Sequence, residues 1–204
     1  LFGIDTIVSP MKNLTFVQGN VAAPQTTGPH IIAHLCNDVG IWSGAVAHQI
    51  ARRWPDAERA FHRWYRNRTK NDFGLGAVQF VKAYRTHVNR VTRVANMVAV
   101  RGCSEVEPRL NRNQKLAWCL AAVGKKAWSL NATVHLPKFR HGETTKDSKS
   151  QWRDIEALIR CALCDIGVGV FIYEAAPDHR DQLFARVIKK RTQRERSDQH
   201  WKLP

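Results

Sequence analysis

The chain has 204 residues, with 32 Lys and Arg against 17 Asp and Glu, a formal charge of +15, and 44% hydrophobic residues including seven Trp. That length and hydrophobic share argue for one folded domain with a full core and against a disordered chain. No apolar run approaches the roughly 18 residues that span a bilayer, and LFGIDTIVSP carries no basic segment ahead of an apolar one, so the expectation is a soluble, intracellular chain, cytoplasmic or nuclear, with no membrane partner.

In chain order, Ile4 to Val8 reads as an edge strand ended by Ser9-Pro10. The run 14 to 19, LTFVQG, is short, apolar and ends in Gly19-Asn20, as a buried strand entering a turn should. Strand 30 to 36 delivers Cys36-Asn37-Asp38 to its end. Beyond Gly40 and Gly44, the positions Val46, Ala47, Ile50, Ala51 and Trp54 fall at helical spacing over 44 to 54, before Pro55 interrupts. A second helix follows over 56 to 67, then strands 76 to 83 and 91 to 100. A helix over 110 to 128 carries Leu116, Leu120, Val123 and Ala127 on one stripe. Strand 132 to 137, a helix over 152 to 165 and strand 168 to 174 complete the pattern.

This alternation predicts a three-layer α/β/α domain around a central mixed, mostly parallel sheet, with ligands at the carboxyl ends of strands. From Asp178 the pattern changes. Leu183, Phe184, Val187 and Ile188 suit one more amphipathic helix, and KKRTQRERSDQHWKLP has no apolar period. The division expected is therefore 1–177 for the domain, with its core over 13–174, and 178–204 for a basic extension, helical and then mobile.

The five cysteines are odd in number and scattered, as free thiols in a reducing compartment are. Cys161 and Cys164 share one helix with no second ligand pair, so they read as packing residues rather than a zinc site. His34 on its apolar strand reads as a hydrogen-bonded core histidine, and Trp118 and Trp128 read as packed. No metal or cofactor is expected. Charge concentrates in Arg52, Arg53, Arg59, Arg63, Arg66, Arg68 and Lys70, interleaved with Trp54, Phe61, Trp64 and Tyr65, and again in the tail. This is either a solvated basic face or a surface for polyanions such as nucleic acid.

Gly19-Asn20 after the first strand, HLCND at the end of the next, and WSGAVAHQIARRWP opening a helix resemble the macro domain family, which binds ADP-ribose. The likeness is to yeast-type ADP-ribose 1″-phosphate phosphatases and to the branch of terminal ADP-ribose glycohydrolase and a chromatin-remodeller macro module. Val134-His135-Leu136-Pro137-Lys138, a polar loop, Trp152 and the last helix are similar to the family's second ligand loop. The matches span roughly residues 13 to 174.

The resemblance implies a ligand, ADP-ribose, rather than a cofactor. Gly19, Asn20 and Val21 would contact the ligand, with Asn20 at the adenine, where it stands in place of a common Asp and still offers a carbonyl acceptor. Asn37 and Asp38 would face the distal ribose, and Cys36 just before them would also contact the ligand. Ile41, Trp42, Ser43, Gly44, Ala45 and Val46 would form the first phosphate loop, whose amides must approach phosphate oxygens to about 2.9 Å. Pro137, Phe139, Arg140, His141, Gly142 and Thr144 would line the second, which is longer here and has one glycine.

Asp38 is the implied carboxylate at the scissile bond, beside Asn37, and Asp147 (or Ser148), the nearest match to the second-loop Asp, is the alternative group to assist water attack on the distal ribose. A purely structural role for Asp38, capping a turn, stands alongside. Where the glycohydrolase branch has an attacking Lys, this chain offers Arg101, which stays protonated and cannot form that adduct. Hydrolysis of mono-ADP-ribose from modified acidic residues or related esters is the leading expectation. A non-catalytic reader, an ADP-ribose 1″-phosphate phosphatase and a basic nucleic-acid-binding module are the alternatives. The expected partners are ADP-ribose or an ADP-ribosylated macromolecule, and nucleic acid through the basic surface and tail, for a monomeric protein.

Overall fold

The structure, a computed structural model, describes residues 14–24, 26–83, 92–102, 109–139 and 148–174. The expected edge strand at Ile4 to Val8, the boundary near 177 and the extension 178–204 lie outside them. The strands are β1 (Leu14–Gln18), β2 (His30–Asn37), β3 (Val78–Ala83), β4 (Thr92–Val100), β5 (Thr133–Pro137) and β6 (Val170–Glu174). The helices are α1 (Ala45–Arg53), α2 (Pro55–Arg66), α3 (Arg109–Ser129) and α4 (Ser148–Ile159). One sheet runs β1-β6-β5-β2-β4-β3, parallel throughout except for β3 against β4.

Period-two alternation in β2 divides the core into two layers. Ile31 and Ala33 pack with Leu116, Leu120 and Val123 of α3 and Ile155 and Ile159 of α4. Ile32 and Cys36 face the other way, onto Ile50 of α1 and Phe61 and Trp64 of α2. With helices on both faces β2 is buried on both, which is why it reads as an unbroken apolar run. Pro55 both stops α1 and opens α2, where its missing N–H costs nothing.

Three features depart from the sequence reading. Opposite the step from Cys36 to Asn37, β4 carries one extra residue, Ala99, so that Asn37 pairs with Val100. Such a bulge bends the ladder and re-aims the residues beyond it. The last helix begins at Ser148, and its final turn, Arg160–Cys164, widens to π geometry, closed by the Asp165 amide donating to the Arg160 carbonyl at 2.9 Å. Trp118 and Trp128 do not pack into the core: they are 54% and 71% exposed. Leu116 and Leu120 hold the buried stripe, and Trp118 lies two residues from each, about 200° around a helix of 3.6 residues per turn. As expected, His34 is buried and hydrogen-bonded. Of the Cys161 and Cys164 pair, one is exposed and the other buried.

Candidate functional site

Because β1, β6, β5, β2 and β4 run parallel, their carboxyl ends share one edge of the sheet. Main-chain bonds stitch the first residues beyond that edge together. The Gly19 amide donates to the Glu174 carbonyl at 3.0 Å, Lys138 to Tyr173 at 2.8 Å, and Asp38 to Val100 at 3.0 Å.

The loop from Asn37 to Gly44 is built, not slack. Asn37, only 9% exposed, accepts from the amides of Val39 (3.2 Å) and Ile41 (3.0 Å) and donates to the Ile41 carbonyl at 2.7 Å. Both its carbonyl lone pairs and one amide hydrogen are thus engaged in the turn. Sequence reasoning set Asn37 beside the reacting carboxylate; the structure makes it the clamp of the loop. The available signal was the tendency of Asn to bond its own backbone two residues on. Trp42 anchors the far side: its ring is buried against His34 and Phe61, and its Nε1–H donates to the Ala47 carbonyl at 3.0 Å.

Two glycines are required here. Gly40 has φ 72°, and a Cβ there would run into the Tyr65 ring. Gly44 has φ 92° with open space around it, so backbone conformation alone selects glycine. As N-cap of α1 it offers no side chain, no other side chain caps the helix, and no acidic residue occupies the first turn. The His48 amide is the first to close onto the Gly44 carbonyl. The amides of Ala45, Val46 and Ala47 therefore stand before the first intrahelical bond, at the exposed end beside Ser43. Such an end attracts anions.

Asp38, within this loop, is half-buried and accepts from the Gly102 amide through Oδ1 at 2.6 Å. The carboxylate thus holds the turn after β4, in which Arg101 is exposed. One bond to Oδ1 leaves Oδ2 with acceptor capacity, so the carboxylate can hold its turn and still accept from water or a hydroxyl.

At the other end of the edge, Asn20 is exposed and its Oδ1 accepts from the Ala22 amide at 2.8 Å, closing an Asx turn. Glu174 ties three strand ends together, taking Gln18 at 2.7 Å on Oε2 and the Lys138 ammonium at 2.5 Å on Oε1. That ammonium also lies over the Phe16 and Trp152 rings. Nothing in the sequence pattern marked this clasp, because its parts come from three strands and a helix.

The side chains of Val21, Cys36, Pro137 and Phe139 are buried, so what these positions offer at the edge is main chain. Burial pushes the Cys36 thiol well up, as it does Cys119, to about 12. Neither is a nucleophile at neutral pH. His34 is lowered to about 4 by burial, against the opposing effect of its 2.8 Å bond to Asn96 Oδ1. Asn96 continues to Gln79 and to the Ala57 carbonyl of α2, so the imidazole belongs to a buried network rather than to the edge. Arg140, His141, Gly142, Thr144 and Asp147 lie outside the described residues. Among the residues that are described, no group of three His, Cys, Asp or Glu is disposed to hold a metal.

No protein-family model matches the chain. A quarter of it, 51 residues, is 41% identical to an ADP-ribose 1″-phosphate phosphatase from Saccharomyces cerevisiae, a match that spans only 28% of that relative. The fold is similar to that of an Oceanobacillus iheyensis macrodomain solved with ADP, at 13% identity and a TM-score of 0.59, covering 88% of this chain and 91% of that one; this likeness speaks to the fold alone. A macrodomain protein from Streptomyces coelicolor is 35% identical, with a TM-score of 0.68, and the match takes in 80% of this chain and all of that one. On that identity over a whole domain, this chain belongs to the macrodomain family.

Proposed function

We propose that the protein binds ADP-ribose along this strand edge and hydrolyses mono-ADP-ribose from modified acidic side chains or related esters. The observation that carries the reading is the uncapped start of α1. Three amides precede its first intrahelical bond, a glycine of φ 92° opens it, no acid stands in its first turn, and Asp38 belongs to the loop that leads into it. A diphosphate satisfies those amides and complements the helix dipole. Asn20, with Oδ1 already holding one amide, keeps one lone pair to accept from an adenine amino group and its own amide to donate.

Asp38 is the group to activate water at the distal ribose. Its Oδ1 is fixed by Gly102, which sets the carboxylate plane, and Oδ2 takes the proton as water attacks. Arg101 stays cationic and stabilises negative charge on the departing carboxylate, but it forms no adduct.

A second reading, phosphate release from ADP-ribose 1″-phosphate, is favoured by the S. cerevisiae relative. Parallel assays separate the two. Release of ADP-ribose from glutamate-linked mono-ADP-ribosylated protein, falling at least about tenfold in Asp38→Asn, supports ester hydrolysis, since that variant keeps an acceptor for Gly102 while losing the base. No release at stoichiometric protein overturns it. Free phosphate from the 1″-phosphate supports the second reading.

A further inference from the structure

The helix α2 buries Ala57, Phe61 and Trp64 on one face. Its opposite face carries Arg59, Arg63 and Arg66 at spacings of four and three, which places them on one stripe. The 3-10 turn Arg68–Lys70 just beyond adds two more cations, and all five are exposed. Packing does not require this stripe, since the apolar face alone docks the helix, and cations along one helix face repel one another.

The acids near the stripe are already engaged. Asp56 pairs with Arg59, Glu58 lies 3.7 Å from His62, and Asp72 accepts from Trp64 Nε1 at 2.9 Å. One basic residue in the last turn complements the helix dipole; α2 has two and the next turn two more. Arg68 lies over the Tyr65 ring, 4.4 Å from its centroid, and the same ring lies against Gly40 of the loop before α1.

We propose that the exposed face of α2 and its 3-10 turn form a ridge that binds the phosphate backbone of a single-stranded nucleic acid. The charge complementarity is that of a regular cation stripe with a phosphate chain, and guanidinium groups grip phosphate oxygens bidentately. The Arg68 guanidinium, stacked over Tyr65, offers its outer plane to an unpaired base, a contact that a poly-glutamate chain does not make. The ridge abuts the loop through Tyr65 and Gly40, but the proposal does not rest on what that loop binds.

The test is fluorescence anisotropy of the full chain with a short, labelled, mixed-sequence strand, between about 50 and 200 mM salt. Each phosphate contact of a single strand contributes about 0.7 to the slope of log affinity against log salt. Arg63→Gln, Arg66→Gln and Lys70→Gln together should lower that slope by about 2 and weaken binding at low salt by at least about tenfold. Lys125→Gln with Lys126→Gln, on the opposite helical layer, should leave both readings near the parent values. Thermal unfolding midpoints of both variants should stay unchanged.

An unchanged slope in the ridge variant, an equal loss in the control, or competition by duplex or poly-glutamate as strong as by the strand itself would overturn the proposal. ADP-ribose titration of the ridge variant reads the pocket separately. Affinity kept there while strand binding falls is the pattern expected, and strand binding that survives in a protein with no ADP-ribose affinity overturns the pocket reading alone.

Discussion

The two helical layers of this domain do different work with different residues. Under α3 and α4 the core is aliphatic, with Leu116, Leu120, Val123, Leu136, Ile155 and Ile159 filling it, and these contacts hold helices to the sheet. Under α1 and α2 the core is aromatic and partly polar. Trp42, Trp54, Phe61 and Trp64 pack there beside the His34, Asn96 and Gln79 chain of hydrogen bonds. Aromatic rings have directional contacts and polar handles, so this layer can fix a loop in one geometry as well as bury area. The lesson is that the fold rests on both layers, whereas the loop before α1 rests on one.

The largest effect should come from paired truncations. Trp42→Ala removes a buried indole and its bond to Ala47, costing about 3–5 kcal/mol, and Leu120→Ala costs about 2–5 kcal/mol in the other layer. Denaturant unfolding should find the two similar. Calorimetry with ADP-ribose, well below the melting transition, should find affinity lost in Trp42→Ala and kept in Leu120→Ala. Equal binding in both would dissolve the distinction between the layers.

Acid should expose the aromatic layer's buried imidazole. His34 is lowered from 6.5 to about 4, so it is held neutral in the fold. A histidine depressed in this way contributes stability that is full above about pH 6.5 and is lost as pH falls toward 4, up to about 3 kcal/mol. His135, lowered to about 3 by burial and by His30, adds a loss in the same direction from the strands β5 and β6. His34→Gln, which removes the titrating group, should flatten the fall in unfolding free energy between pH 6.5 and 4; an unaltered slope would assign acid sensitivity elsewhere.

A smaller change tests the clamp. Asn37→Ala strips three hydrogen bonds from the turn at a cost of about 2 kcal/mol, and it should weaken ADP-ribose far more than stability alone explains. Gly44→Ala comes last. With φ 92° and ψ 154° it sits in a region essentially confined to glycine, so an L side chain there is strained by about 1–3 kcal/mol, and open space around it means no clash adds to that. The melting midpoint should therefore drop by several degrees. Ligand affinity reports whether relaxing that strain moves the amides.

Much of this was legible in the chain itself, for physical reasons. Apolar runs bounded by Gly19, Gly40 and Pro55 fixed the element order to within a few residues, because burial on both sheet faces and on one helix face leaves a readable period. HLCND and WSGAVAHQIARRWP located the loop. The hidden features depend on through-space partners. The bulge at Ala99 is a matter of strand register, the Glu174 clasp joins residues far apart in sequence, and the Gly102 bond to Asp38 crosses from one strand end to another. The exposure of Trp118 was readable from helical angle, yet the apolar character of the side chain suggested the core.

The most direct test of the account is a two-dimensional amide NMR titration of the protein with ADP-ribose. The amides of Ser43 through Ala47 should shift most, joined by Asn20 at one end and Asp38 and Gly102 at the other, with α3 and α4 quiet. Saturating ligand that leaves the start of α1 unmoved, or shifts confined to the opposite helical layer, would contradict it.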